Sequence, residues 1–307
     1  MSIINKPHGE VVMIGKCYEG VISQTGVISN APPLYQDIKQ DTMKKYILVL
    51  ILTMVNLTMY SQNHTYGLAD EYNKLAENHK KNSRPDSAII YYEKASLEFQ
   101  ASNNMEGFVN TYNQIGIILT RQDQYEKAKE YLNKALSTGL STLDSNNLIT
   151  ATTYISLGVV YNEEKNYNQS LTYHNKALSI RLLKLGEYHV DVATSYGNIG
   201  NVYLNSKNYD KSIEAHSKAM QIREKLFGKA SAEIVESFYG LGNAYKEKKE
   251  YSISLEYYEK CLKNKIAQRG EGHKDLVKFY KKMSDVYYLM GNNKQGDFYK
   301  IKAEEIK

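Results

Sequence analysis

Residues 196–220 read YGNIGNVYLNSKNYDKSIEAHSKAM, and their spacing decides the fold. Tyr196, Ile199, Gly200 and Tyr203 follow one another at helical steps, so they share one face of an α-helix. The small Gly200 on that face lets a neighbouring helix come close. A polar turn, Asn205-Ser206-Lys207-Asn208, ends the helix. Tyr209, Ser212, Ile213, His216, Ala219 and Met220 then mark a second helix by the same three- and four-residue steps. The stretch is a helix hairpin.

The hairpin repeats in both directions. Gly116, Gly158, Gly200 and Gly242 lie 42 residues apart, and Ser284 continues the series. Ile115, Leu157, Ile199, Leu241 and Met283 precede them, and Leu119, Tyr161, Tyr203, Tyr245 and Tyr287 follow. Tyr125, Tyr167, Tyr209 and Tyr251 open the second helices, and Ala135, Ala177, Ala219, Cys261 and Ala303 recur within them. An earlier copy, offset by 40, supplies Tyr72, Leu75, Ala76, Ala88, Tyr92 and Ala95. Self-similarity at such a period signals a stacked array, in which each hairpin covers its neighbour's apolar face. Six units are expected within residues 66–307, at about 69–108, 109–150, 151–192, 193–234, 235–276 and 277–307.

The pattern resembles the tetratricopeptide repeat, with its aromatic–Leu-Gly–Tyr first helix and Ala-rich second helix. The usual 34-residue period is lengthened to 42 by linkers such as Arg181–Asp191, Arg223–Gly228 and Gly270–Asp275, a form similar to the kinesin-light-chain-like subclass. The resemblance implies an all-α, right-handed superhelical solenoid of antiparallel helix pairs. It also implies a concave groove, lined by the first helices, that holds extended peptides or partner helices. Grooves of that subclass use asparagines on peptide backbones.

A polar column runs along the first helices opposite their packing slots. It comprises Asn110, Asn113 and Gln114, then Thr152 and Asn162, then Asn198, Asn201 and Asn205. Tyr239, Asn243 and Lys246 follow, and Lys278, Lys281 and Asp285 end it. An asparagine both donates and accepts, so a ladder of them can pair with both backbone groups of an extended chain. Asn162, Asn198, Asn201, Asn205, Tyr239, Asn243 and Lys246 are the candidate peptide-binding residues. The alternative is a solvated polar face in an Asn-rich chain. The basic clamp of chaperone-binding repeats is interrupted at Ile117 and Ile155.

Other features read as structural. Gly186, Gly228 and Gly270 should end helices in the left-handed conformation. Asp191 and Asp275 should cap the helices that follow. His189 and His273 pair with those aspartates in sequence, but the next unit has Ser231 and Glu233 there, so no metal site is expected. His174 and His216 share a slot with Tyr92, Leu132 and Tyr258, which makes them packing residues. Cys261 stands in an alanine slot and reads as a small core hydrophobe. Asp297 and Lys300 replace larger apolar or aromatic side chains, as expected of a terminal repeat with a polar outer face.

The N-terminal residues are of another kind. Met43-Lys44-Lys45 precedes an uncharged run from Tyr46 to Tyr60, YILVLILTMVNLTMY, and polar Ser61-Gln62-Asn63 follows. As a helix the run spans about 22 Å, short of a ~30 Å hydrocarbon core. Residues 43–62 therefore match a signal peptide or signal anchor, which is expected if Met43 is the true start and residues 1–42 are an extension of the gene model. The alternative is a start at Met1 with a buried or anchoring helix behind a genuine tail. Residues 46–60 would then carry any membrane association. Residues 1–42 show no sustained helical or strand period and are expected to be poorly structured.

Composition agrees with a helical array. The chain's 307 residues include 28 Tyr, no Trp and four Pro, none of them after Pro85. Turn-rich β architectures need proline more evenly spread. A net charge of +5 is too thin to suggest nucleic acid. Two cysteines form no disulfide framework, and no phosphate loop, zinc motif or nucleophile elbow is present. No enzyme activity or cofactor is expected. The expected function is a non-catalytic module binding a protein or peptide segment in the groove, exported to the periplasm or medium or held at a membrane. The alternative is a membrane-anchored sensory or adaptor subunit that regulates a separately encoded effector. Without a signal segment at 43–62 the location becomes cytoplasmic.

Overall fold

The computed structural model describes residues 2–5, 11–14 and 33–306, with side chains at 43–54 and 67–306. It divides into two units, residues 1–61 and 62–307. In the first, strands β1 (Ser2–Asn5) and β2 (Val11–Ile14) pair antiparallel with Ser2 opposite Ile14. Helix α1 (Pro33–Lys81) begins inside the segment expected to lack structure. Both elements have local causes: β-branched Ile3, Ile4, Val11 and Val12 favour strands, and Pro33 presets the first helical φ. The rest of residues 1–32 lies outside the described residues. Large apolar side chains from Tyr46 to Leu52 are all exposed.

The second unit is the expected all-α solenoid. The end of α1 pairs with α2 (Pro85–Ala101), then α3 (Met105–Arg121) with α4 (Tyr125–Thr142), and α5 (Leu148–Glu163) with α6 (Tyr167–Leu185). Next come α7 (Val190–Asn205) with α8 (Tyr209–Phe227), α9 (Val235–Glu247) with α10 (Tyr251–Arg269), and α11 (Val277–Leu289) with α12 (Asn293–Glu305). Short 3₁₀ turns, Ala232–Ile234 and Lys274–Leu276, lead into α9 and α11. Three pairs start before the expected boundaries of 109, 151 and 193. Asn104, Asn147 and His189 cap them, accepting from the backbone N–H of Gly107, Ile149 and Asp191. The cap is therefore His189, not Asp191. In the same way His273 Nδ1 accepts from the Asp275 N–H at 3.2 Å. Each aspartate sits one step inside, where its charge favours the helix N-terminus.

The knobs-and-gaps core follows from the repeated small residues. A Cβ on Gly200 would come within 2.7 Å of the His216 ring, and one on Gly158 within 2.7 Å of His174. Gly242 and Tyr258 make the corresponding pair in the fifth unit. Ser170 and Ser254 each donate to the carbonyl of the facing glycine, Gly158 and Gly242, at 2.7 Å. The last unit exchanges the two roles: Ser284 on α11 donates to Gly296 O on α12 at 2.8 Å.

Two kinds of turn join the helices. Within pairs the first helix closes by a Schellman-type bond, as from Asn208 N–H to Tyr203 O at 2.8 Å. The residue before the donor takes positive φ: Ser83, Asp123, Lys165, Lys207, Lys249 and Gly291, and Asn103 takes the same turn between α2 and α3. Between pairs, Gly186, Gly228 and Gly270 cap the second helices with φ of 77°, 85° and 84°. Their ψ values of 172°, 164° and 166° place them outside the expected left-handed helical region. They occupy the mirror-extended region that is almost exclusive to glycine. The terminal helix also differs from expectation. Asp297 accepts from Tyr288 OH at 2.6 Å, yet Phe298 and Ile301 are 50% and 54% exposed, so its outer face is not purely polar.

Candidate peptide-binding groove

Helices α7, α9 and α11 bring a set of polar side chains onto one concavity. Asn198 and Asn201 project from α7, Tyr239 and Asn243 from α9, and Lys278 from α11, around a cavity of about 800 Å3. A second cavity of about 360 Å3 shares Asn243 and adds Asn205, Lys246 and Lys282. Six of the seven candidate residues therefore line two adjoining hollows. The seventh, Asn162, lines neither, but its Oδ1 accepts from Asn205 Nδ2 at 3.1 Å. Asn243 is already oriented, because Tyr258 OH donates to its Oδ1 at 2.7 Å. That leaves its amide N–H groups to face the groove.

The column weakens toward the N-terminal units. Asn113 is only 1% exposed, and neither amide atom has a partner within the protein, so it cannot reach a ligand. Thr152 donates to Leu148 O, and Gln114 accepts from Lys80 at 2.9 Å.

The groove floor holds residues that the spacing argument passed over. Arg223 from α8 is buried; its Nη1 donates to Ser237 Oγ at 2.7 Å and its Nη2 lies 3.3 Å from Glu236 Oε2. Arg181 does the same one unit earlier, donating to Asp191 O at 2.8 Å and Ser195 Oγ at 3.0 Å. An Arg followed 14 residues later by Ser, twice at the repeat period, was the available signal. Burial lowers the pKa of both guanidiniums, and Asp191 and Glu236 partly offset the shift. His216 also reaches the floor, 3% exposed, with Nε2 unpartnered. Burial, then the nearby Arg223 charge, holds its pKa down to about 4, so the imidazole is neutral at pH 7. Gly240 in α9 leaves room for that ring.

Electrostatically the groove leans positive. Glu236 and Glu247 are engaged by Arg223 and Lys246, and Glu233 is the remaining carboxylate on the lining. Among the described residues, no carboxylate lies within 4.0 Å of Lys265, Lys278 or Lys282. Lys278 rests over the Tyr239 and Phe279 rings at 5.3 and 4.9 Å. Also among the described residues, no group of three or more His, Cys, Asp or Glu is placed to hold a metal ion.

This is an α-solenoid with a polar, amide-rich concave face. The tetratricopeptide repeat family model matches residues 107–182 and 191–267, and the chain belongs to that family. Its fold is shared by BtubC (BKLC) from P. vanneervenii, with a TM-score of 0.58 at 16% identity over 79% of this chain and 90% of that one. A putative kinesin light chain with nearly identical repeats from Podosopora anserina gives 0.57 at 15% identity, over 67% and 98%. A tetratricopeptide repeat protein from Parabacteroides merdae gives 0.54 at 17%, over 78% and 80%. No curated protein matches the chain. Proteins of this family are generally non-catalytic and bind protein partners.

Proposed function

We propose that the groove between α7, α9 and α11 holds an extended peptide or protein segment, and that the chain acts by this binding without catalysis. The observation that supports this reading is the convergence of Asn198, Asn201, Asn205 and Asn243 on two adjoining hollows that share Asn243. Their amides can pair with backbone N–H and C=O groups whatever the guest's sequence. Lys265, Lys278 and Lys282 favour a segment carrying carboxylates. The test is a displayed peptide library selected on the wild type, with winners titrated against an Asn201→Ala/Asn243→Ala double variant. A loss of tenfold or more is expected; equal affinity would remove the groove from the mechanism.

The compartment belongs to the same reading. Residues 43–62 serve as a signal peptide or anchor, which places the solenoid outside the cytoplasm or at a membrane. The exposed apolar side chains of Tyr46–Leu52 support this, since such a surface calls for a protein or lipid cover. No helix among the described residues is long and apolar enough to cross a membrane. Mass spectrometry of the mature protein should find a start near Ser61–Asn63. An intact Met1 in a freely soluble form would overturn export. Retention of an uncleaved form through alkaline carbonate extraction would favour the membrane-anchored regulatory adaptor.

A further inference from the structure

One slot of the repeat is filled by the chain's own tyrosine in five units and left open in the fourth. Tyr91, Tyr131, Tyr173, Tyr257 and Tyr299 hold it, one per unit. In the third unit Tyr173 lies between Tyr154 and Tyr161, with ring centroids 6.0 and 5.4 Å away. In the fifth, Tyr257 lies between Phe238 and Tyr245 at 6.1 and 5.7 Å, and in the sixth Tyr299 between Tyr280 and Tyr287 at 6.1 and 5.4 Å. In the first, Tyr91 lies between Tyr72 and His79 at 6.3 and 5.1 Å. All are half-buried.

The fourth unit keeps both outer rings, Tyr196 and Tyr203, but has Ala215 in the middle position. A hollow of about 250 Å3 stands there, with Leu178 and Ile199 among its lining residues. Lining side chains of the same class surround the tyrosine-filled slots, with Leu136, Leu262, Leu157 and Leu241 at the equivalent positions. A lysine covers each outer ring: Lys218 Nζ is 5.7 Å from the Tyr196 centroid, and Lys211 Nζ is 5.5 Å from that of Tyr203. Lys218 is paired with Glu214 at 2.8 Å. Among the described residues Lys211 has no carboxylate within 4.0 Å.

We infer that this hollow is a second binding site, distinct from the groove, which receives an aromatic side chain of a protein partner between Tyr196 and Tyr203. The occupant's chemistry is set by what the same backbone places there in the other units: a phenol ring against two aromatic neighbours in the first, third, fifth and sixth, and against Tyr112 alone in the second, where Leu119 takes the other flank. The cation over Tyr203 favours a carboxylate next to that ring in the partner.

The capped peptide Ac-Asp-Tyr-Asp-amide, titrated by NMR against the full chain, tests the assignment. Wild type should bind it in the millimolar range or better. Ala215→Tyr, which fills the slot, should weaken binding at least tenfold, and Ala215→Leu provides a second filled slot should the first variant fold poorly. Tyr257→Ala opens the equivalent slot in the fifth unit and should add a second site. Unchanged binding in the filled variants would overturn the inference. So would equal binding of Ac-Asp-Ala-Asp-amide, which would reduce the effect to charge. Binding of free p-cresol without the peptide would also overturn it, because the slot would then admit small aromatics but no side chain.

Discussion

The fourth and fifth units, α7–α8 and α9–α10, share one backbone plan and differ in how well it is satisfied. In the fifth, Ser254 Oγ donates to Gly242 O, Tyr258 OH donates to Asn243, and Tyr257 completes a ring stack. In the fourth, Ser212 Oγ has no partner within the protein, His216 Nε2 has none, and Ala215 leaves the stack open. Buried polar atoms without partners each cost on the order of 1–3 kcal/mol. The fourth unit thus gives up local stability, with His216 on the floor of the groove and Ala215 on the wall of the second hollow. That is the pattern expected when a repeat is shaped by its guests as well as by its neighbours.

The largest test of this contrast is at the shared slot of His216 and Tyr258. Tyr258 is fully buried and orients a groove amide. Tyr258→Ala should cost about 4 kcal/mol, the usual range for truncating a buried aromatic. His216→Ala should cost about half as much, since it also removes an unpartnered polar atom. Urea midpoints of the two variants measure the difference. Equal losses would show that the fourth unit is no less well packed than the fifth.

Acid next separates the third and fourth units, which hold histidine in that slot, from the fifth. Burial, then the Arg181 and Arg223 charges, lowers the pKa of His174 and His216 to about 4, against an ordinary value of 6.5. Between those values the unfolded chain binds more protons than the folded one, so stability falls as pH drops from 6.5 toward 4 and is fully present above 6.5. Each histidine should cost about 2 kcal/mol by pH 4.5. The variant His174→Leu/His216→Tyr takes the side chains that other units place in that slot, and should flatten the decline. A thermal-melt series from pH 7.5 to 4.5 reads it, and an unchanged slope in the variant would clear the histidines.

Much of this was legible in the residues. The 42-residue period, the glycine–knob pairs and the groove asparagines are all signals of presence: one residue type recurring at one slot. What the sequence reading missed had other forms. Ala215 is an absence within a series, visible only once the rings on either side are seen to leave a space. His189 and His273 cap through ring nitrogens, whereas the aspartates two residues on matched the commoner capping chemistry. Asn113 shares its helical slot with Tyr239, yet packing against neighbouring helices covers it, and helical period alone cannot give the depth of that cover.

A smaller effect, opposite in sign, comes from completing the fourth unit. Ala215→Tyr should raise stability by about 1 kcal/mol, the increment typical of an added aromatic pair beyond its buried area. Differential scanning calorimetry would record it as an upward shift of a few degrees in Tm. A fall in Tm would mean that Tyr196 and Tyr203 do not stand apart far enough for a third ring.

The smallest effect lies in the turn before α8, where the fourth and fifth units agree and the sixth differs. Lys207 and Lys249 hold φ of 63° and 68°, whereas Gly291 holds 75° in the same turn. A side chain in the left-handed region costs roughly 1–2 kcal/mol, because its Cβ crowds the following carbonyl. Glycine removes that strain but gains more freedom on unfolding, which returns roughly 0.4–1 kcal/mol of the benefit. Lys207→Gly should therefore stabilise by only about 0.5 kcal/mol, and Lys249→Gly by a similar amount, as urea midpoints would show. Because Lys207 also borders the second hollow of the groove, peptide affinity of Lys207→Gly separates strain from recognition. A gain in stability with unchanged affinity would mark the lysine as a tolerated turn residue. A loss of affinity beyond threefold would show that the strained backbone holds Lys207 in place for the guest.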